Sequence, residues 1–215
     1  IEEAVIWVGF DTLKELALRQ KVCELFSHGK PIGRYSRELL WKHCVSTAVL
    51  AKMIYRREFG EKGDSMYAAA LLHDIGIIVE DQFLHEEFKN ILHMVEHDHI
   101  NIIDAEYNLL GYNHAEIGEV LGAYWNLPDD LVKSIGKHHG PFREPASHSR
   151  MELTLFISNH LCHVKGIGYS DTPQTDIVLY RKCLNAIGLE ETILDIIMED
   201  LYREIERLEE QGLLS

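Results

Sequence analysis

The sequence predicts an all-α fold, a single compact bundle of many helices. Three observations predict it. Apolar residues recur at helical spacing in segment after segment, as in the i, i+4 stripe of Ile193, Ile197, Leu201 and Ile205. Helix-starting residues stand ahead of these segments: Ser36, the Asn113-His114-Ala115-Glu116 capping box, and Pro128 before Asp129 and Asp130. Glycine or proline stands behind them, at Gly60 and at Gly140-Pro141. A chain of 215 residues is long enough for one sizeable core, and one domain over 1–215 is the default.

The elements follow in order. Residues 1–30 read as N-terminal helices. Ile1, Ala4, Val5 and Val8 share a face there, Leu13, Leu16, Ala17 and Phe26 extend it, and Asp11 or Thr12 is placed to cap a second helix. Gly29, Pro31 and Gly33 break the pattern. Ser36 caps a long helix running to about Phe59, in which Ala48 and Ala51 permit close packing. Asp64 or Ser65 caps the next helix, which ends at His73-Asp74 with Gly76 as a left-handed terminator. Phe83, Phe88, Ile91, Leu92 and Val95 suggest a helix within a less regular stretch over 77–110. Asn113 opens a helix to about Asn126, Pro128 opens another to His138-His139, and a loop over 141–149 precedes a helix over 151–164. Gly166 and Gly168 mark a turn, which lacks the Lys-Ser/Thr of a phosphate loop. Helices over 176–187 and 190–210 complete the chain, the last with a solvated acidic side. The core therefore spans 34–169 and the C-terminal helices 174–215.

The net charge of −14 argues against a protein that grips a nucleic-acid polymer, which needs a basic surface. No apolar run reaches the roughly 20 residues of a membrane span, so no membrane partner is expected. Cys23, Cys44, Cys162 and Cys183 lack metal-finger spacing and read as buried thiols of a reducing cytoplasm.

The chemistry gathers around Leu71-Leu72-His73-Asp74-Ile75-Gly76. His43 lies upstream, and His114 and the His138-His139 pair lie downstream. Imidazoles with a carboxylate are the donor types that bind transition metals. Asp74 at a helix C-terminus faces the negative end of the dipole, which a bound cation would offset. His114 at a helix N-terminus faces the positive end, which favours the neutral imidazole a metal needs. His93-Met94-Val95-Glu96-His97 spells an inverted zinc-protease pattern, but His85, His93, His97 and His99 read as surface residues in a chain with 13 histidines.

The ordered series resembles the HD-domain superfamily of metal-dependent phosphohydrolases, and more closely its HDOD branch of bacterial signalling proteins. It is carried by residues 1–10, Trp41-Lys42-His43, Ala69 to Gly76, His114 to Gly118, Trp125 to Pro128 and His138-His139, covering most of 1–169. The resemblance implies further helical sequence before Ile1. It also implies two divalent transition-metal ions, iron, manganese or zinc, bridged by Asp74. One would be held by His43, His73 and Asn159, the other by His114, His138 and His139. Asp74 and His73 would be the catalytic residues. The resemblance further implies a supporting or extra-ligand role for Glu106, eight residues before His114, and leaves His163, one turn from Asn159, to compensate for the missing carboxylate.

Three positions depart from the active members. Asn159 stands where a metal-binding aspartate is expected, and Ile77 where a lysine usually follows the His-Asp-Ile-Gly run. The sequence after His139 is Gly-Pro-Phe-Arg-Glu-Pro, without the Gly-Tyr-Pro of the HD-GYP branch that cleaves cyclic di-GMP. The resemblance thus implies a regulatory or scaffold domain in signal transduction whose partners are signalling proteins. The alternative it implies is a phosphohydrolase acting on a nucleotide or other small phosphorylated ligand through metal-activated water, with Lys42, Lys137 or Arg143 available to contact phosphate.

Overall fold

The computed structural model of this protein describes residues 19–26, 29–170 and 177–214. The expected N-terminal helices fall mostly outside them, and only the helical stretch 19–26 is described. Ten α-helices follow: α1 (Arg37–Glu58), α2 (Asp64–Leu72), α3 (Ile75–Phe83), α4 (His85–His97), α5 (Ile102–Leu110), α6 (His114–Tyr124), α7 (Asp129–Gly136), α8 (Arg150–Val164), α9 (Ile177–Ile187) and α10 (Glu191–Glu210). A 3₁₀ turn, Pro145–Ser147, precedes α8. Among the described residues the one β-type pairing is an isolated bridge between Ile32 and Tyr35. The all-α fold expected from the pattern is the fold observed.

Helices α1 and α8 form the axis of the molecule, because each is buried on several faces rather than along one stripe. In α1, Leu40, Cys44, Ala48 and Ala51 are fully buried, and α2, α8 and α10 pack around it. Helix α7 closes against α2 and α8, and α6 bridges α7 and α3. The C-terminal segment is fastened back onto the axis where the Trp41 indole donates to the Leu213 carbonyl at 3.1 Å. Ser36 caps α1 through the Leu39 amide. Asn113 and Glu116 form the full capping box expected at α6.

Three local expectations change. Asp64 is the first residue of α2 rather than its cap, which is Gly63 in the left-handed region at φ 76°. The stretch over 77–110 holds parts of three helices, α3 to α5, because α3 starts directly after Asp74. Gly76 is therefore no terminator. It lies inside α3, where a Cβ would sit 2.0 Å from the His114 carbonyl oxygen, so its role is to let α3 touch the start of α6. Of the four cysteines, Cys44, Cys162 and Cys183 are buried, whereas Cys23 is half-buried; all are free thiols. No helix among the described residues is long and apolar enough to cross a membrane.

Candidate metal centre

The sequence series converges on one point inside the bundle. His43 comes from the second turn of α1, His73 and Asp74 from the corner between α2 and α3, and His114 from the first position of α6. His138 and His139 follow α7, and Asn159 comes from α8. Asp74 is buried at the centre and divides its two oxygens. Oδ1 lies 3.5 Å from His114 Nε2 and 3.3 Å from His138 Nε2. Oδ2 lies 3.2 Å from His73 Nε2 and 3.7 Å from His43 Nε2. Two groups able to hold a cation result, Asp74 with His114, His138 and His139, and Asp74 with His43 and His73. They share only the carboxylate.

The outer nitrogens of His73, His138, His43 and His114 are fixed by the fold. His73 Nδ1 donates to the Ala70 carbonyl at 2.6 Å, His138 Nδ1 to the Ile135 carbonyl at 2.6 Å, and His43 Nδ1 to the Ile167 carbonyl at 3.3 Å. A carbonyl can only accept, so in the neutral form of each of these rings Nε2 carries a lone pair on the side of Asp74. His114 Nδ1 faces the Glu106 carboxylate at 2.7 and 2.9 Å, and Glu106 also accepts from the His114 amide at 3.0 Å. Glu106 thus steadies both the ring and the helix start that carries it. Behind it sits Glu80, buried, with neither carboxyl oxygen hydrogen-bonded; burial and then the Glu106 charge push it up to about 9.

Such a cluster is costly without a cation. His73 Nε2 is buried and makes no hydrogen bond. His43 Nε2 meets the Asn159 Oδ1 acceptor at 2.8 Å. His114 Nε2 lies 3.2 Å from His138 Nε2 and 3.0 Å from His139 Nε2, three nitrogens around one small space. Converging lone pairs, one carboxylate and orphaned buried nitrogens are the donor set that a divalent transition metal satisfies, so these residues fit one.

The electrostatics agree. Burial pushes His43 down to about 3 and His138 down to about 4, and with the neighbouring imidazoles it drives His139 well below its ordinary value. Burial works against the Asp74 carboxylate, but the surrounding imidazoles, His73 foremost, hold it well below the usual range. His114 departs from expectation. Burial opposes its charge, yet Glu106 and Asp74 together outweigh burial and raise it well above the ordinary value. The helix dipole is not what sets its protonation. The dipole argument for Asp74 is also overturned, since the residue lies past the His73 cap of α2 and is itself the N-cap of α3, facing that helix's positive end.

The remaining candidates divide. The Glu106 contact places it behind His114, outside both cation-holding groups. His163 stacks on His43 with ring centroids 4.4 Å apart and is depressed to about 3, chiefly by burial. Ile77 is buried, so the lysine position of active relatives is apolar here. His93 and His97 stand exposed, 4.4 Å apart between centroids and outside both cation-holding groups. Glu80 was not foreseen; an acid one turn from Gly76 on α3 was the only sequence signal for it.

Comparison with known proteins came to the same region. The sequence matches the HDOD domain family over residues 1–141. An uncharacterized curated protein of Treponema pallidum is 27% identical over 169 residues, which is 74% of this chain and 30% of that protein. The chain thus spans less than a third of that relative. A Geobacter sulfurreducens HDOD domain protein of unknown function has a solved structure with a TM-score of 0.80 at 25% identity, covering 96% of this chain and 72% of the other. A Marinobacter aquaeolei protein provisionally described as a signal transduction protein gives 0.72 at 21% identity, covering 96% and 46%.

Proposed function

Because this chain belongs to the HDOD domain family, we propose that it is a metal-binding regulatory or scaffold domain of bacterial signal transduction, built around a dinuclear site. The observation that carries the reading is the division of Asp74 between two histidine groups. His114, His138 and His139 would hold one ion, and His43 and His73 with the Asn159 amide oxygen would hold the other. Iron, manganese and zinc all suit imidazole with carboxylate. The regulatory reading is preferred over turnover for two reasons. Asn159 brings a neutral donor where a carboxylate would add charge, and Ile77 leaves an apolar side chain where active relatives place a cation.

The second reading, a metal-dependent phosphohydrolase acting on a nucleotide or other phosphate ester, is favoured by the complete set of histidines. When bound, such ions lower the pKa of water and offset charge developing on a phosphoryl group. This chain's own residues would then contribute positioning: Glu106 orients His114, and the Ala70 and Ile135 carbonyls fix the tautomers of His73 and His138. The Asp74 carboxylate, held well below the usual range, stays ionised beside them.

Elemental analysis of protein purified without chelator or histidine tag tests the metal site, beside Asp74→Ala. Two ions per chain, lost in the variant, are expected; no metal in the unaltered protein overturns the site. A broad phosphodiester and nucleotide screen of the metal-loaded protein then separates the two readings. Hydrolysis abolished by Asp74→Ala would replace the regulatory reading with the enzymatic one.

A further inference from the structure

Away from the metal centre, a cavity of about 550 Å³ lies between α1, α10 and the helical stretch 19–26. Its size falls in the usual range for a small-molecule site. Four cations line it: Arg19, Lys52, Arg56 and Arg207. One carboxylate, Glu204, joins them. This is a local reversal in a chain with 35 acidic and 21 basic residues. Among the described residues, acids pair with two of the four cations, Lys52 with Asp64 at 3.0 Å and Arg207 with Glu204 at 3.3 Å. Dipole complementarity explains Arg56 and Arg207 one at a time, each in the last turn of its helix. It does not explain why Arg19 and Lys52 converge on the same space. Like charges gathered there cost free energy that an anion would relieve.

The rest of the lining has a different character. Met53, Leu208 and Leu213 supply an apolar wall beside the Tyr67 ring. An arginine-rich rim and an apolar wall together suit a ligand with a phosphate at one end and a planar or apolar body at the other. We propose that this cavity binds a small organic phosphate of the nucleoside monophosphate type, with Arg19, Arg56 and Arg207 around the phosphate and Met53, Leu208 and Tyr67 against the body. The cavity and His43 are both served by α1. Lys52 lies nine residues from His43, roughly 14 Å along the helix axis. The inference does not depend on the metal centre being occupied.

Titration calorimetry at low ionic strength tests it, on the full chain freed of metal and dialysed from chelator. Adenosine monophosphate and inorganic phosphate serve as probes. Adenosine monophosphate is expected to bind saturably, more tightly than inorganic phosphate, and more weakly as salt rises. Arg56 is exposed, so Arg56→Glu should fold normally, verified by its thermal midpoint, and should weaken binding about tenfold or more. Absence of binding, equal affinity for the two probes, or an unaffected Arg56→Glu variant would each overturn the proposal.

Discussion

The two halves of the centre share one carboxylate yet are built differently. The half made by His114, His138 and His139 holds three imidazoles, one of them braced by the Glu106 carboxylate. The half made by His43 and His73 has no carboxylate behind either ring. Backbone carbonyls hold both, and the remaining donor is the Asn159 amide. Negative charge close to a cation is the stronger determinant of its affinity, so the first half should hold its ion more tightly. The difference shows how one protein can keep a complete donor geometry while weighting one side of it.

The largest effects should come from the glycines that let each half close. A Cβ at Gly76 would lie 2.0 Å from the His114 carbonyl oxygen, and one at Gly168 would lie 2.4 Å from the His43 amide nitrogen, with φ already at 75°. Gly76→Ala should destabilise the protein by about 3 kcal/mol or more and displace the His114 half. Gly168→Ala should do the same to the His43 half. Denaturant melts give the stability, and metal counts show whether each variant loses one ion rather than both.

Next in size is Glu106→Gln, which keeps the shape but removes the charge behind His114. A 10- to 100-fold loss of affinity is expected for one ion, measured by competition with a chromophoric chelator. Equal weakening of both would end the distinction between the halves. Asn159→Asp works in the opposite direction and should tighten the other ion by about tenfold, levelling the two.

A separate effect is that of pH on the metal-free protein. His43 at about 3 and His138 at about 4 are depressed below the unfolded value near 6.5. Between these limits the unfolded chain binds more protons, so stability should fall as pH drops from about 6.5 toward 4. Thermal midpoints recorded across that window check it, and metal loading should narrow the fall down to the pH at which the ions dissociate.

Much of this was legible in the sequence. Ser36, the Asn113 capping box and the stripe of α10 are local signals, and local signals survive folding. The metal-site residues were legible as a series because each histidine sits near an element end, yet their grouping around Asp74 came from a resemblance rather than from spacing. What was not legible depends on contacts distant in sequence. Gly76 reads as a terminator until α6 is seen lying against it. Asp74 reads as a helix end until α3 begins one residue later. The protonation of His114 reads as a dipole effect until Glu106, eight residues earlier, is found against the ring.

The two close-approach glycines also bear on how such a chain can change through descent. A histidine here would serve the ion, and a lineage with no use for the ion could exchange it for another residue of similar bulk. Gly76 and Gly168 serve the joints themselves, where backbone presses on backbone and no side chain can give way. Drift should therefore erase the ligands before it erases these glycines, leaving the joints as the longer-lived record of where the centre stood.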